Sequence, residues 1–473
     1  MDDIKGVCER LEAAGQAHLI DAVRDHSVLR EVCQGIDWEA MSSLVDRLVR
    51  VSPESQVGAL EPASCVTTDP SKASGDVELV DGDHLSMIGE EAIASGRVAV
   101  FTVAGGQGTR LGWSGPKGSF PASPVVGKPL FRLFAEQILA AQKRYGVTIR
   151  WYIMTSAAND AATRAFLLDN RCFGLDRRHI MLFPQGMMPA FDKESGEVLM
   201  DSPSSLAMSP DGHGGAYAAL RRSGAIDQME GRGIDMLAWH QVDNPLAVLL
   251  DPTFIGLHVE PSHSSGQFSS KMTPKSSPEE RVGIFAKRDG RTSVVEYSDL
   301  TKEETYAEDG EGRLRFMAGN IATHLISVAF AKKVADSGEQ MLPWHRAEKS
   351  VPFFDPKKGI RVESPTLNAV KLERFVFDAM GEASQPVILQ VDRERHFAPI
   401  KNAEGQDSPA SSKRMQSDLY GSWLDSAGVQ IPRDGDGHVD ADIEISPLTA
   451  MSSAEIKEAD LPASIPSGGS FSC

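Results

Sequence analysis

The distribution of apolar residues along the chain predicts short buried strands that alternate with helices. The clearest strand is the almost entirely apolar run 98–103, which is typical of a strand buried on both faces of a parallel sheet. The other predicted strands are 149–155, 179–183, 236–240 and 387–391, and the predicted helices are 83–95, 129–145, 163–168, 217–223 and 413–430. The alternation up to about residue 250 predicts an α/β fold with a doubly wound, mixed but mainly parallel sheet.

Both ends of the chain differ from this alternating centre. Apolar spacing in residues 1–50 predicts a helical layer with Gly15 between two helices, whereas residues 51–80 lose periodicity and are predicted to form a surface linker. Short alternating runs within 431–473 predict a small β module, and the last residues, 462–473, are predicted to be disordered. We therefore expect a helical region with its linker at 1–80, a central domain at 81–380 and a C-terminal region at 381–473.

A glycine-rich segment directly follows the clearest strand. Three glycines in four positions, Gly105, Gly106 and Gly108, leave the backbone free to adopt positive φ and to approach a ligand closely. Backbone N–H groups in such a turn can form a concave anion site, and the nearby Arg110 and Lys117 supply two cations. The simplest ligand for this arrangement is a polyphosphate.

Two familiar phosphate-binding motifs do not account for this segment. The P-loop string GxxxxGK followed by Ser or Thr does not occur in the sequence. The dinucleotide fingerprint GxGxxG fails at Leu111, and no acidic residue occurs in 118–135 to bind a ribose hydroxyl. The pattern therefore argues against a nicotinamide-dependent oxidoreductase.

Composition limits the classes of partner. The net charge of −18 argues against a general nucleic-acid binder, which would present a basic face. The five cysteines are dispersed and lack CxxC spacing, which favours reduced thiols over a disulfide framework or a zinc site. No apolar stretch reaches 18 residues and the acidic start does not resemble a signal peptide, so we expect a cytoplasmic protein without membrane association.

The string GGQGTRLGWSGPK, at 105–117, resembles the nucleotide-binding signature of the eukaryote-type UTP-dependent sugar-1-phosphate nucleotidylyltransferases, which has the form GGxGTRLGxxxPK. Further segments similar to motifs of that family follow in the family's order across residues 80–430. They are PDGHGG at 210–215, KxxxKxxPxExVG at 271–283, VVEYS at 294–298, AGNI at 318–321, KxExFVFD at 371–378 and a match to REDEFSPLKNA at 393–403. The alternation around VVEYS predicts a strand over 293–298.

The resemblance implies a nucleotidyltransferase-like fold and a uridylyltransferase that converts UTP and a hexose 1-phosphate into a UDP-sugar and pyrophosphate. UTP and the sugar 1-phosphate would be its partners and Mg²⁺ its cofactor, and no obligatory protein partner is evident. The implied catalytic residues are Arg110, Lys117 and Lys401, with Asp243 as the metal ligand. The implied nucleotide-binding residues are Ala104, Gly105, Gly106, Gly108, Thr109, Gln185, Pro210, Gly212, His213 and Gly214, and the implied sugar-binding residues are Gly283, Glu296, Tyr297, Asn320, Phe375 and Phe377.

Several of these residues also have an alternative interpretation as ordinary structural residues. Asp243 could cap a turn, Lys401 could be a solvated lysine, and Asn320 could be a satisfied buried amide. Phe375 and Phe377 lie two apart and would share a face if extended, where they could shape an acyl pocket or simply belong to the core.

The identity of the sugar remains open between two related enzymes. The VVEYS, AGNI and FVFD segments favour N-acetylglucosamine 1-phosphate, and hence UDP-N-acetylglucosamine as the product. His213, however, stands where many N-acetylhexosamine enzymes have Asn and matches the GHG of UDP-glucose pyrophosphorylases, unless it is only a surface turn residue. The alternative is therefore a UDP-glucose or broad-specificity UDP-sugar pyrophosphorylase. A non-catalytic nucleotide-sugar-binding protein is less favoured, because Lys117, Asp243 and Lys401 are all present.

Overall fold

The computed structural model describes residues 4–23, 25–51 and 58–473, so the predictions made for residues 1–3, 24 and 52–57 lie outside the described residues. The helices are α1 (Ile4–Ala13), α2 (His18–Ala22), α3 (His26–Val32), α4 (Trp38–Leu44), α5 (Gly82–Ala94), α6 (Leu130–Tyr145), α7 (Asp160–Asp169), α8 (Ala216–Arg222), α9 (Ala225–Glu230), α10 (Pro252–Val259), α11 (Lys302–Thr305), α12 (Val328–Ser337), α13 (Arg393–His396) and α14 (Pro409–Ser426). The strands are β1 (Leu60–Pro62), β2 (Cys65–Thr67), β3 (Val77–Leu79), β4 (Val98–Val103), β5 (Trp151–Thr155), β6 (Ile180–Pro184), β7 (Met187–Pro189), β8 (Phe191–Asp192), β9 (Met200–Ser202), β10 (Ser205–Leu206), β11 (Met208–Pro210), β12 (Met236–Gln241), β13 (Phe268–Pro274), β14 (Ile284–Arg288), β15 (Arg291–Val295), β16 (Ala318–Ser327), β17 (His345–Lys349), β18 (Phe353–Asp355), β19 (Ile360–Val362), β20 (Ala369–Glu373), β21 (Val387–Gln390), β22 (Ala441–Glu444) and β23 (Gly469–Ser472).

Local sequence explains where the central helices begin and end. The Asp81 side chain accepts hydrogen bonds from the first backbone N–H groups of α5, at 3.1 Å each, which is the usual role of an N-cap aspartate. Helix α6 begins directly after Pro129 and ends at Gly146, which adopts φ of +64° as a C-terminal glycine commonly does. None of the helices in the described part of the chain is long and apolar enough to span a bilayer.

The chain divides into two compact units made of interleaved segments. The smaller unit comprises Met1–Gly58, Gln185–Ala216 and Ser337–Asp378, and the larger unit comprises Ala59–Pro184, Tyr217–Asp336 and Ala379–Cys473. The predicted division into regions 1–80, 81–380 and 381–473 remains a prediction. Each predicted region is one continuous stretch of chain, whereas each unit combines three separate segments.

The larger unit is built on a twelve-stranded sheet. Its main path has the order β3-β2-β21-β13-β16-β12-β4-β5-β6, with β1, β14 and β15 attached beside it. Strand β4 pairs in parallel with both β12 and β5, whereas β16 runs antiparallel to β12 and β13. The mixed, mainly parallel sheet predicted from the apolar runs is therefore confirmed.

Two helices of the larger unit pack so closely that glycine is required at their contact. A Cβ added to Gly89 on α5 would lie 1.8 Å from the Pro252 carbonyl oxygen, and one added to Gly256 on α10 would lie 1.8 Å from the Leu85 carbonyl oxygen. Both helices contribute to the main core, which they share with α6 and the central strands.

The prediction of a surface linker at 51–80 is wrong for its described part. Residues in this segment form β1, β2 and β3, and β2 pairs in parallel with β21 and β3 in the large sheet. Each strand has only three residues, which is too short for an alternating pattern to be visible. Burial of Cys65, Val66 and Thr67 identifies the segment as part of the sheet.

The smaller unit contains the predicted N-terminal helical layer. Helices α1 to α4 contribute Leu11, Leu19 and Trp38 to a core that also contains Phe191 and Leu372. Three small sheets complete the unit, with the strand orders β10-β9-β18-β19, β11-β7 and β17-β20-β8. The helical layer is therefore confirmed for the described residues.

The C-terminal β module is ordered to its end. Strands β22 and β23 pair in parallel over four residues, and Phe471 and Cys473 pack against a core that includes Ile443. The predicted disorder of residues 462–473 is wrong, because this polar segment contributes its few apolar side chains to that core.

Candidate functional site

The glycine-rich loop lies at the carboxyl end of β4 in the larger unit. The Ala104 N–H donates to the Met154 carbonyl at 2.8 Å and so extends the pairing of β4 with β5. The Asn159 amide then donates to the carbonyls of Ala104, at 2.9 Å, and Gly106, at 3.1 Å. These bonds hold the loop at the edge of the sheet where open α/β folds bind ligands.

The three glycines of this loop do not have positive φ, and Gly108 is needed for close packing. Gly105, Gly106 and Gly108 are absent from the positive-φ residues, and the nearest left-handed glycine is Gly112, with φ of +68°. A Cβ at Gly108 would lie 2.6 Å from the Cβ of Trp113, so a side chain is excluded there. The positive φ that glycine permits is therefore not used at these three positions.

The structure brings Lys117 and Asp243 together. The Lys117 ammonium lies 3.3 Å from Oδ2 of Asp243, and the two side chains are only 16% and 13% exposed. Asp243 follows β12, which lies beside β4 in the sheet. Thr109 and Arg110 lie exposed in the short turn Thr109–Leu111 that follows the glycines. The arrangement is a partly buried ion pair with an exposed guanidinium nearby in sequence.

Lys401 lies in a segment that is hydrogen-bonded to the main chain of Asp243. The Ile400 N–H donates to the Asp243 carbonyl at 2.9 Å. The Lys401 ammonium lies 3.9 Å from Oδ2 of Asp407 and 5.3 Å from the ring centre of Phe397. Burial raises the pKa of Asp407, and the nearby Lys401 ammonium offsets only part of that rise. The Lys401 ammonium therefore lies near one carboxylate and one aromatic ring, while its side chain remains 37% exposed.

Three of the predicted sugar-binding residues cluster in the larger unit. The Asn320 N–H donates to the Gly283 carbonyl at 2.8 Å, and the Asn320 side-chain oxygen accepts from the Ala322 N–H at 2.8 Å. A Cβ on Gly283 would lie 3.2 Å from Oε1 of Glu296. Strand β15 ends one residue before Glu296, so the strand predicted over 293–298 is too long, and Tyr297 is 45% exposed beyond it.

In the smaller unit, Gln185 and Pro210 lie beside one pair of strands. Pro210 ends β11 and pairs with Met187 at the start of β7. The Asp211 N–H donates to the Gly186 carbonyl at 3.2 Å, which continues the contact beyond the strands. Gln185 therefore lies next in the chain to a backbone contact of the second glycine-rich loop, which is the PDGHGG segment at 210–215.

This second loop packs against the segment around Arg374 through backbone atoms. The Arg374 N–H donates to the Asp211 carbonyl at 2.9 Å, and the Gly214 N–H donates to the Arg374 carbonyl at 2.8 Å. Gly212 has φ of +84°, and a Cβ there would lie 2.3 Å from the Arg374 carbonyl oxygen. Glycine at 212 is thus required both by conformation and by close approach.

His213 is held among aromatic rings of the smaller unit. The Val376 N–H donates to its Nδ1 at 3.1 Å, and its ring centre lies 5.3 Å from Phe375 and 5.5 Å from Phe377. Burial, together with the charge of His345, lowers the pKa of His213 to about 4. His213 is therefore neutral at pH 7 and carries its proton on Nε2, because Nδ1 accepts a hydrogen bond. It is not a surface turn residue.

The two phenylalanines of the FVFD motif have different environments. A 3-10 turn over Val376–Glu382 follows Phe375, so the two rings do not lie on one face of an extended segment. Their centres are 5.2 Å apart, and Phe377 is only 4% exposed whereas Phe375 is half-buried. Phe375 is therefore the more accessible of the two, and Phe377 belongs to the core.

Sequence reasoning overlooked several residues that shape these sites. Asn244 and Asp407 hold the segment of Lys401, and Arg374 supplies the backbone against which the second glycine loop packs. The helix after Asp407 was predicted to begin only at 413, whereas α14 begins at Pro409. The Ser408-Pro409 pair was the available signal, since a serine cap followed by proline marks a helix start.

The described residues contain no cluster of three or more His, Cys, Asp or Glu side chains able to hold a metal by themselves. Asp243 offers one carboxylate, and Lys117 is the side chain bonded to it. Such a site suits a cation that obtains most of its ligands from a bound phosphate.

Comparison with known proteins identifies relatives over most of the chain. A family model described as UTP--glucose-1-phosphate uridylyltransferase matches residues 61–420. UDP-N-acetylglucosamine diphosphorylase 2 of Arabidopsis thaliana is 34% identical over 438 residues, which cover 87% of this chain and 83% of the relative. UDP-N-acetylglucosamine pyrophosphorylase of Saccharomyces cerevisiae is 38% identical over 355 residues, which cover 74% of each chain.

A solved structure shares the fold. The uridine diphosphate N-acetylglucosamine pyrophosphorylase of Trypanosoma brucei, in complex with an inhibitor, has a TM-score of 0.80 with this chain at 26% identity. The similarity covers 97% of this chain and 95% of the other. The architecture is therefore that of a known group of nucleotide-sugar enzymes.

Proposed function

The chain belongs to the UTP--glucose-1-phosphate uridylyltransferase family, and from that premise we propose that it makes UDP-N-acetylglucosamine and pyrophosphate from UTP and N-acetylglucosamine 1-phosphate. The general activity follows from family membership. The choice of sugar is the proposal, and it is supported by relatives whose names specify N-acetylglucosamine.

One observation carries the proposed chemistry. Lys117 and Asp243 form a partly buried pair at 3.3 Å, and the segment ending in Lys401 is bonded to the Asp243 main chain. Joining two anions requires cations that neutralise their charge and align them. The Asp243 carboxylate, which lies beside Lys117, would repel an incoming phosphate unless it binds a cation.

We propose the following roles for the chain's own residues. An oxygen of the sugar phosphate attacks the α-phosphorus of UTP in line, and the bond from that phosphorus to the bridging oxygen of the leaving pyrophosphate breaks. The nucleophile is already ionised at neutral pH, so no general base is required. Lys117, Lys401 and the exposed Arg110 neutralise the phosphates and stabilise the charge that moves onto the leaving pyrophosphate.

Mg²⁺ fits the carboxylate of Asp243. Proteins commonly hold Mg²⁺ by one or two carboxylates while the substrate phosphates and water supply the remaining ligands. When bound, the ion would offset negative charge on the triphosphate. Its binding would also remove the conflict between the Asp243 carboxylate and an incoming phosphate.

For the nucleoside and the sugar, we propose two further roles. The loop containing Gly212 and neutral His213 binds the uridine portion through backbone groups and the Nε2 hydrogen. The cluster of Gly283, Glu296 and Asn320 binds the sugar hydroxyls and the acetamido group, since it combines a carboxylate, an amide and a close backbone approach.

A second candidate is a UDP-glucose or broad-specificity UDP-sugar pyrophosphorylase. His213 favours it, because a neutral imidazole in this loop matches the GHG of glucose-selecting relatives. The chemistry at the phosphates would be unchanged.

The test is a panel of sugar 1-phosphates with UTP and Mg²⁺, measured by pyrophosphate release. We expect kcat/KM for N-acetylglucosamine 1-phosphate to exceed that for glucose 1-phosphate by a decade or more, because loss of the acetamido group leaves polar groups unpaired. Addition of EDTA should abolish turnover. Equal or better kcat/KM with glucose 1-phosphate would select the second candidate, and a folded, UTP-binding protein inert with every sugar phosphate would reject both.

A further inference from the structure

Asn244, directly after Asp243, is a buried amide whose polar atoms are all bonded to backbone. It is 4% exposed. Its side-chain NH₂ donates to the His396 carbonyl at 2.7 Å, and its side-chain oxygen accepts from the N–H groups of Ala398, at 3.0 Å, and Leu246, at 3.2 Å. One amide therefore bonds both to its own loop and to the segment that leads to Lys401.

The Asp243 main chain extends this contact by one more step. Its carbonyl accepts from the Ile400 N–H at 2.9 Å, two residues beyond the last bond made by Asn244. Residues 396, 398 and 400 are thus each bonded to the pair 243–244, and Lys401 follows at once. On its other side, the Lys401 N–H donates to the Asp407 carbonyl at 2.7 Å.

We propose that Asn244 is a positioning residue that fixes the spacing between the Asp243 carboxylate and the Lys401 ammonium. The two charges lie on chain segments more than 150 residues apart, and an isolated lysine side chain would not keep a constant distance to Asp243. Asn244 joins the two backbones one residue after Asp243 and three residues before Lys401. This inference rests on the proposed roles of Asp243 and Lys401 in phosphate chemistry.

The side chain at this position must both donate and accept. Aspartate has nearly the same shape, but it lacks the donor for the His396 carbonyl and would place two oxygens against each other. Alanine would leave the His396 carbonyl and the Ala398 N–H without their partner. Asparagine alone among residues of this size satisfies both groups.

The chain offers a matched control in Gln137. Its side-chain NH₂ donates to the Ala247 carbonyl at 3.0 Å, and its side-chain oxygen accepts from the Leu249 N–H at 3.2 Å. This amide therefore anchors the same loop as Asn244, but it does not bond the segment 396–400. Gln137→Ala tests general loosening of the loop, whereas Asn244→Ala also releases Lys401.

The experiment compares Asn244→Ala, Asn244→Asp and Gln137→Ala in the full-length protein. Hydrogen–deuterium exchange of the ligand-free protein reports on the amides of 396–402, and steady-state kinetics with UTP and N-acetylglucosamine 1-phosphate give kcat and KM separately. We expect at least tenfold faster exchange at Ala398 and Ile400 in both Asn244 variants. We also expect kcat to fall tenfold or more while KM for UTP changes less than threefold. Gln137→Ala should leave exchange in 396–402 unchanged and kcat within twofold.

Equal losses of kcat in Asn244→Ala and Gln137→Ala, or unchanged exchange at 396–402 in Asn244→Ala, would overturn the inference. If Asn244→Ala does not fold, Asn244→Ser takes its place. Because serine keeps a short donor and acceptor, we then expect a smaller increase in exchange and a smaller fall in kcat. Failure of the proposed function is distinguishable, because wild-type protein would then make no UDP-sugar while the exchange measurement would still report on the hydrogen-bonded segment.

Discussion

The two groups of site residues, one in each unit, are built in different ways. In the larger unit, Lys117, Asp243 and Lys401 are charged side chains held by bonds between neighbouring segments. In the smaller unit, the loop containing Gly212 packs through backbone atoms against Arg374, and the imidazole of its His213 is neutral at pH 7. The charged group should therefore respond to mutation mainly in turnover. The backbone group should respond mainly in folding and binding, because its shape leaves no room for change.

The largest effect is expected from Asp243→Ala. Loss of this carboxylate removes the proposed metal ligand and leaves Lys117 without its partner, so kcat should fall by more than two decades. Lys117→Ala and Lys401→Ala should each reduce kcat by roughly one to two decades, since a charge-assisted hydrogen bond contributes about 1.5–3 kcal/mol. Steady-state rates of pyrophosphate release measure all three.

Lys332→Ala is the matched control for these lysines. It forms an exposed ion pair with Glu230 at 2.9 Å in the same unit, and pairs of that kind contribute little. The kcat of Lys332→Ala should equal that of the wild type.

Near-normal activity of Asp243→Ala, with or without added Mg²⁺, would contradict the metal assignment.

In the smaller unit, Gly212→Ala should destabilise the protein more than it slows the chemistry. The new methyl would require a left-handed φ and would meet the Arg374 carbonyl at 2.3 Å, so we expect a loss of about 3 kcal/mol in unfolding free energy. Gly359→Ala is the control, since Gly359 has φ of +67° with no atom within 4 Å of the added Cβ. It should cost about 1 kcal/mol.

Urea unfolding and UTP titration separate these effects. Gly212→Ala should weaken UTP binding, and Gly359→Ala should not. Equal unfolding free energies for the two variants would show that close packing against Arg374 has no energetic consequence.

Acid should destabilise the larger unit more than the smaller one. Burial lowers the pKa of His240, His258 and His396 to about 3, and all three lie in the larger unit. The smaller unit contains one histidine with a lowered pKa, His213. The unfolded chain binds these protons near pH 6.5 whereas the folded chain does not. Stability is therefore greatest above that pH and declines as the pH falls towards 4.

The slope should reach about 1.4 kcal/mol per pH unit for each histidine. Denaturant unfolding at a series of pH values between 7 and 4.5 measures it. His258→Gln should reduce the slope by about 1.4 kcal/mol per pH unit, because it removes one titrating proton. His258 suits this test because its ring is fully buried, bonds Ser269 at 2.8 Å and is not a proposed site residue. An unchanged slope would refute the assignment.

The smallest effect is expected at the phenylalanines of the smaller unit. From the FVFD motif we predict that Phe375 contacts the acetyl methyl group, so Phe375→Leu should narrow the preference for N-acetylglucosamine 1-phosphate over glucose 1-phosphate by about threefold to tenfold, because apolar contacts discriminate weakly. Phe377→Leu, in the core, should lower stability without changing the preference. Ratios of kcat/KM for the two sugars, with melting temperatures alongside, distinguish the two positions.

The charged residues were predictable because of where they stand in the sequence. Asp243 follows an apolar run, and Lys117 follows a glycine-rich turn after another such run. Parallel strands bring their carboxyl ends to one edge of the sheet, so residues at those positions come together whatever lies between them. The backbone packing of Gly212 against Arg374 had no such signal, since it depends on two loops meeting and not on any local pattern.

By itself, the sequence determined the strand and helix types of the central sheet, the glycine-rich loop and the ordered set of motifs that identifies the family. These depend on apolar periodicity, turn residues and short-range spacing, which are properties of neighbouring residues. Only the tertiary structure decided that short strands of three residues complete the sheet, that His213 is neutral and that Asn244 joins Asp243 to the segment of Lys401. Each of these depends on burial or on hydrogen bonds between distant parts of the chain, and no local pattern encodes such partners.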